Sequence, residues 1–292
     1  LETSRNHHSS EIINDKSTAQ QELRDLGVLT PEGKTIYSEQ QAEYYFRELK
    51  AKGYESVTIK LKRAASGMGV FKINTLDELE KKLYEHRNEL NDGLLMDGWI
   101  RGKFITSPNI QFNVGKTPEE DVFIGCSSQI LSPDGTVHLG NISDMGIMEN
   151  KRLVADLLVI RNWIRSKKAY GISGIDFSIF EDENGEQKAY FMEINGRING
   201  STHGAIIANK IFGDEQYLDK WSVVNNVMLK EGTTIDQFIQ RLQRDKIYFD
   251  PSTKTGVLPT NISAIDKYSK AMVVIFGEKS KIMEMINILN SY

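Results

Sequence analysis

The sequence is poor in residues that staple or break a chain, with one cysteine, Cys126, and six prolines in 292 residues. A lone thiol excludes an intramolecular disulfide and a thiolate-built metal cluster. Its place in the apolar run after Val122 marks it as a core side chain. No apolar run approaches the roughly 20 residues that span a bilayer, so no membrane partner is expected. Positive charge is not in excess either: 36 basic against 40 acidic residues give a net charge of −4, without the basic footprint of a nucleic-acid binder. Repeats and low-complexity segments are absent. The chain opens on Leu1 with no charged n-region before an apolar stretch. That start is expected of a cytoplasmic protein, or of the later part of a longer one.

The composition is that of a folded domain, 39% hydrophobic and 26% charged, and the length suits one large domain or several lobes. Residues 1–13 are polar, with His7 beside His8 and no third ligand at a useful spacing, so a mobile arm is expected. Helices are predicted from Ser17 to Leu26, from Ser38 to Gly53, from Thr75 towards Gly93 and from Asn150 to Lys168. Further helices are expected at 205–211, 233–244 and 280–289. Between Ser56 and Lys62 apolar and polar residues alternate, predicting a half-buried strand with Lys60 and Lys62 on one face. A small-residue turn, Ser66-Gly67-Met68-Gly69, leads into a strand at 70–73, so the pair forms a flexible hairpin flap. Strands are expected at 94–96, in two runs between Ile110 and Leu131, at 137–139 and at 272–276. Ile175–Phe180 and Ala189–Ile194 form a hairpin.

That hairpin opens into Glu193-Ile194-Asn195-Gly196-Arg197-Ile198-Asn199-Gly200-Ser201-Thr202-His203-Gly204. Hard oxygen donors at the end of a strand suit Mg²⁺, which is usually held by one or two carboxylates plus substrate phosphates. For Glu193 and Asn195 to hold one ion, the backbone is expected to twist out of the strand at Ile194. Lys60, the glycine turn and the acidic pair Asp176/Glu193 together suit phosphate binding. A lysine neutralises phosphate oxygens, backbone N–H groups close over them, and carboxylates hold a bridging metal.

These residues, in this order, resemble the ATP-grasp superfamily. Asn14-Asp15-Lys16 followed by Gly27-Val28-Leu29-Thr30-Pro31 is similar to that family's opening segment, whose lysine contacts nucleotide phosphates. Val57-Thr58-Ile59-Lys60 resembles its second lysine strand, and Ser66, Gly67, Met68 and Gly69 resemble the loop over the triphosphate. Leu95-Met96-Asp97-Gly98-Trp99-Ile100 resembles the hinge that reads the adenine edge. Gly174-Ile175-Asp176-Phe177 and the Glu193 run resemble the metal-ligand hairpin. The resemblance implies an α+β ATP-grasp fold, two α/β lobes clasping ATP, with antiparallel sheets and packed helices. Residues 1–30 would be an arm and linker helix, 31–100 a small lobe with the flap, and 101–292 a large lobe with the metal site.

By the same resemblance Lys16, Lys60, Ser66, Gly67, Met68, Gly69, Met96, Asp97, Trp99 and Ile100 bind ATP. Asp176, Glu193 and Asn195 hold Mg²⁺, with Mn²⁺ as the alternative ion. Arg197 and Lys60 are the catalytic candidates, and Arg197, Asn199, Ser201, Thr202 and His203 the substrate-binding ones. For Ser201 to His203 the competing reading is helix capping. Thr106-Ser107-Pro108-Asn109-Ile110-Gln111 and Thr255-Gly256-Val257-Leu258-Pro259 are similar to the carboxylate–amine ligases, including the pheganomycin-type peptide ligases. The implied activity is ADP-forming ligation of a carboxylate to an amine. A small-metabolite kinase and a non-catalytic nucleotide-binding subunit stand as alternatives.

The chain departs from the family in three places. Only about a dozen residues precede Asp15, where relatives carry an α/β domain. A homo-oligomer, or a separate partner supplying that domain, is the corresponding expectation. Lys103-Phe104 stand where an acid commonly binds ribose, leaving Asp97 as the substitute. The acidic loop Glu181 to Glu186 is long and is expected to be solvated.

Overall fold

Two N-terminal helices, α1 (His7–Asn14) and α2 (Lys16–Asp25), meet at Asp15, whose carboxylate caps α2 by accepting the Thr18 N–H at 2.9 Å. This computed structural model describes residues 7–62, 69–131 and 138–292. Ser66, Gly67 and Met68 of the expected flap, and the first residue of the strand expected at 137–139, lie outside the described residues. The mobile arm expected over 1–13 is, from His7 onward, a helix. Ile13 is fully buried in the largest core with Ala19, Leu23, Ile175 and Phe191. One apolar side chain with distant partners leaves no periodic signal, which is why the polar composition misled. Ile13→Ala is expected to cost about 2–5 kcal/mol, read as a lower urea midpoint; an unchanged midpoint would return the segment to a mobile arm.

The first sheet contains β1 (Gly33–Ile36), β2 (Val57–Lys60), β3 (Val70–Ile73) and β4 (Leu94–Gly98), in the order β1-β4-β2-β3, all antiparallel. Helices α3 (Glu39–Ala51), α4 (Leu76–Glu85) and the short α5 (Arg87–Leu90) accompany it. Ser38 and Thr75 cap the first two by accepting the N–H groups of Gln41 and Glu78, each at 3.2 Å. Ala42, Phe46, Leu49, Leu79 and Leu83 pack on Val57, Ile59, Leu94 and Met96. The half-buried strand expected at 56–62 is instead short and buried on both faces, with Lys60 inside and Lys62 beyond its end.

The second sheet holds β5 (Lys103–Thr106), β6 (Pro108–Val114), β7 (Val122–Leu131), β8 (His138–Ser143), β9 (Gly171–Glu181), β10 (Gln187–Asn195), β11 (Trp221–Met228), β12 (Gly256–Thr260) and β13 (Lys270–Phe276). Its order is β10-β9-β6-β7-β8-β11-β13-β12, with β5 also on β9. Helix α6 (Lys151–Ser166) joins α1 and α2 over one face, against Ile110, Cys126, Phe177 and Phe191. On the opposite face α7 (Thr202–Phe212) sets Ala205 and Ala208 against Trp221 and Val223. Helices α8 (Ile235–Arg244), α9 (Ser263–Tyr268) and α10 (Lys279–Leu289) close a further core around Val273 and Ile275.

Helix α2 ties the two sheets. Its Leu23 lies in the core of the second sheet, while the Arg24 guanidinium donates to the carbonyls of Pro31 at 2.7 Å and Gly33 at 3.0 Å.

Candidate active site

The site is made by one extra residue. In the β9–β10 hairpin Phe191 pairs with Phe177, but the next pair is Glu193 with Asp176, so Met192 is a bulge. Phe191 points into the core. In a regular strand Glu193, two residues on, would point there too. The bulge reverses the alternation and brings Glu193 and Asn195 to the opposite face, beside Asp176. Residues 193 and 195, two apart, share a face in any regular strand, and β10 runs on through Asn195. The twist expected at Ile194 is therefore not needed; the irregularity sits at Met192.

Asp176 is buried, and neutral amides surround it. Asn109 and Gln129 donate to Oδ1, Gln129 at 3.1 Å, and Asn195 donates to Oδ2 at 2.8 Å. Glu193 faces the Lys16 ammonium at 2.9 Å and accepts from Asn195 at 3.3 Å. Burial, then the Glu193 charge, pushes the Asp176 carboxyl above the usual carboxylate range. Burial also opposes ionisation of Glu193, but Lys16 outweighs it and holds that carboxyl below the range. Two facing carboxylates thus have one ammonium between them. The repulsion that raises the Asp176 carboxyl is what a divalent ion such as Mg²⁺ on these hard oxygens would relieve. Asn195 now presents its amide N–H₂ to both carboxylates and must rotate by half a turn to offer Oδ1 as a ligand. Among the described residues no group of three or more His, Cys, Asp or Glu side chains is arranged to hold a metal ion by itself. A dedicated protein cage for the ion is therefore not seen there.

On the small sheet, Lys60 forms a buried ion pair with Asp97, and both side chains are nearly inaccessible at 8% and 1% exposure. Burial raises the Asp97 carboxyl against the attraction of Lys60. Its second oxygen, Oδ1, has no hydrogen-bond partner among the described residues and sits where a Cβ on Gly33 would stand. Asp97, the expected ribose ligand, is thus enclosed and held by Lys60. The Met96 side chain lies in the small core, and its backbone is in the middle of β4, in register with Lys34 on β1 and Ile59 on β2. Trp99 and Ile100 are half-buried, and the Trp99 N–H donates to the Ser56 carbonyl at 2.9 Å. The Gly69 carbonyl accepts from Leu61 at 2.9 Å, closing the base of the hairpin. Lys62 approaches Asp15 at 3.9 Å, next to Lys16.

The loop beyond Asn195 divides into enclosed and open residues. Ser201 and Thr202 are buried, and their hydroxyls donate to Asn199 Oδ1, each at 3.0 Å. Gln111 donates to that same oxygen at 2.7 Å and to Asn109 Oδ1 at 2.6 Å, which joins the loop to the Asp176 network. Ser201 and Thr202 therefore shape the loop, whereas Arg197 is exposed and makes no side-chain ion pair among the described residues. His203 is half-buried in the first turn of α7.

Sequence reasoning missed the supporting roles of Asn109, Gln111, Gln129, His138 and Asn225. The available signal was the alternation of Asn109 and Gln111 with Ile110 and Phe112, a strand with one polar face. Gly174 completes the packing: a Cβ there would stand 2.2 Å from Asn199 Nδ2. Gly174→Ala is expected to expel the Asn199 carboxamide and cut turnover roughly 10–100-fold, the range for a lost supporting contact, with nucleotide affinity retained. Steady-state kinetics beside an ADP titration checks this; equal losses in both would place the damage elsewhere.

A family model described as an ATP-grasp domain matches residues 13–201. The chain belongs to the ATP-grasp family. The expected α+β ATP-grasp fold, with antiparallel sheets and packed helices, is the observed one. A search of curated proteins gave no match. Among solved structures, the biotin carboxylase domain of Hydrogenobacter thermophilus 2-oxoglutarate carboxylase, in complex with MgADP, ADP and bicarbonate, is similar at a TM-score of 0.63 and 17% identity. That match covers 91% of this ATP-grasp chain and 62% of the other. Campylobacter jejuni biotin carboxylase, as a β-γ-ATP complex, gives 0.64 and 15%, covering 96% and 66%. The N5-carboxyaminoimidazole synthase of Aspergillus clavatus, with ADP and 5-aminoimidazole ribonucleotide, gives 0.64 and 14%, covering 98% and 76%. At these identities the likeness is one of fold.

Proposed function

We propose that this ATP-grasp protein is an ATP- and Mg²⁺-dependent, ADP-forming ligase. It activates a carboxylate as an acyl phosphate and joins it to an amine, with amino acids or small peptides as substrates, in the manner of the pheganomycin-type ligases. The observation that carries the reading is the bulged hairpin, which sets Asp176 and Glu193 face to face beside Lys16 and Asn195. Structural neighbours crystallised with ADP or an ATP form support a nucleotide in the cleft.

When bound, Mg²⁺ would supply charge neutralisation at the phosphates. Asp176 and Glu193 would hold it, with Asn195 as third ligand after rotation of its amide. Lys16, which faces Glu193 in this structure, would contribute its ammonium to the phosphate oxygens. Lys60, paired with Asp97, adds a buried positive charge from the small sheet. The carboxylate oxygen attacks the γ-phosphorus, ADP leaves, and an amine then displaces phosphate from the acyl carbon. Arg197, with a fork of donors and no internal ion pair among the described residues, suits the acid or the transferred phosphate.

The test is ADP and phosphate release with the twenty amino acids as carboxylates, with and without an added amine. Equal release of ADP and phosphate together with an amide product is the expected result. ADP without phosphate, matched by a phosphorylated product, would make the protein a kinase. Tight ATP binding with no turnover would make it a binding subunit.

A further inference from the structure

Ligation leaves one chemical need that the metal-side residues do not meet. An amine at neutral pH is an ammonium, with no lone pair for attack, so a neighbouring group must take a proton. Asp176 and Glu193 are committed to the cation, and Lys16 and Arg197 carry protons of their own. Two histidines remain on this face of the large sheet, His138 on β8 and His203 on α7.

Their hydrogen bonds separate them. Asn141 Nδ2 donates to Ser127 Oγ at 3.1 Å, so its Oδ1 is an acceptor, and it receives His138 Nε2–H at 2.7 Å. His138 Nδ1 in turn accepts from Asn225 Nδ2 at 3.1 Å. Both ring nitrogens of His138 are taken, and its ring lies against Gly200, with Cε1 3.7 Å from where a Cβ would stand. His203 differs. Its Nδ1 faces the Asn199 carbonyl at 3.3 Å, an oxygen that can only accept, so Nδ1 carries the proton. The Nε2 lone pair has no hydrogen-bond partner among the described residues. The same Asn199 lays its carboxamide over Gly174, the register partner of Asn195, so the ring is anchored to the segment that reaches the metal hairpin.

We propose that His203 Nε2 is the general base that deprotonates the incoming amine; the proposal rests on the ligase reading above. His203 takes one proton from the ammonium, giving an imidazolium and a neutral amine. The nitrogen lone pair forms the C–N bond as the acyl C–O bond breaks, and its electron pair leaves with the phosphate oxygen. That phosphate takes the second amine proton, and His203 returns its own to water. Burial lowers the proton affinity of His203 against the opposing Asn199 carbonyl, and no charged side chain contributes. The start of α7 adds a field that disfavours imidazolium. The resting ring is therefore a neutral base.

The experiment compares two nucleophiles on His203→Gln: the amine substrate, which is an ammonium at neutral pH, and hydroxylamine, which is already uncharged. Amide formation is expected to fall about 10²–10³-fold, a loss at least about ten-fold greater than that of hydroxamate formation. Imidazole added to His203→Ala restores amide formation, which a merely structural role would not allow. Nitrogen-15 NMR of the nucleotide-free protein reads the Nδ1–H tautomer independently of activity. Equal losses with both nucleophiles and no imidazole rescue, or an Nε2–H tautomer, overturn the base while leaving the ligase reading intact. Failure of the wild-type protein to form any hydroxamate overturns both.

Discussion

Glu193→Gln is expected to lower ATP turnover on the order of 10²–10³-fold while leaving the unfolding midpoint close to that of the wild type. The substitution preserves shape and removes one charge. Glu193 then no longer attracts Mg²⁺, Lys16 loses its partner at 2.9 Å, and Asp176 stands as the one remaining carboxylate. The change in stability is small because two effects offset: the ion pair with Lys16, which holds the Glu193 carboxyl below the usual range, is lost, and the repulsion that raises the Asp176 carboxyl is relieved. ADP release measured against Mg²⁺ concentration reads the effect as a higher metal requirement and a lower plateau. Turnover near wild type at low Mg²⁺ would remove Glu193 from the metal site. Asp176→Asn is the companion variant, expected to lose turnover similarly, because the same ion needs both oxygens.

The second large effect is on stability. Asp97→Ala leaves the Lys60 ammonium at 8% exposure without a counterion, and an unpaired buried charge costs about 3–5 kcal/mol. Urea unfolding followed by tryptophan fluorescence measures it. A loss below about 1 kcal/mol would mean that Lys60 reaches water and that the pair is peripheral. The double variant Lys60→Met with Asp97→Leu is expected to recover much of the loss, since a buried pair gains little over apolar residues of similar volume. Nucleotide affinity should stay low in the double variant. That split separates the pair's hold on the small sheet from the proposed contribution of Lys60 to nucleotide binding. Gly33 belongs to the same arrangement, because the Asp97 carboxylate occupies the space of its absent side chain.

Local chemistry was legible where a residue acts on its immediate neighbours. Ser38 with Gln41 and Thr75 with Glu78 mark helix starts, and the structure caps α3 and α4 at those residues. The 3.6-residue spacing of Leu76, Leu79 and Leu83 placed one face of α4 on the core. Cys126 is buried, as its apolar run required. The order of lysine strand, glycine turn and acidic hairpin was enough to indicate the family, because each motif is a short peptide whose function depends on its own backbone. By contrast β1, β5 and β11 carried no usable pattern. They are strands through pairing with β4, with β9, and with β8 and β13, and pairing is a property of the partner as much as of the segment.

By itself, then, the sequence determined which residue types could hold a phosphate and a metal, and the order in which they arrive. Tertiary structure alone decided which face of the hairpin Glu193 occupies, since a one-residue bulge reverses every side chain after it. It also decided that Lys60 and Asp97 neutralise one another, and that His203 rather than His138 keeps a lone pair unclaimed among the described residues. The physical reason is common to all three. Charge, burial and hydrogen-bond satisfaction are set by neighbours brought together from far along the chain, and no local spacing records them.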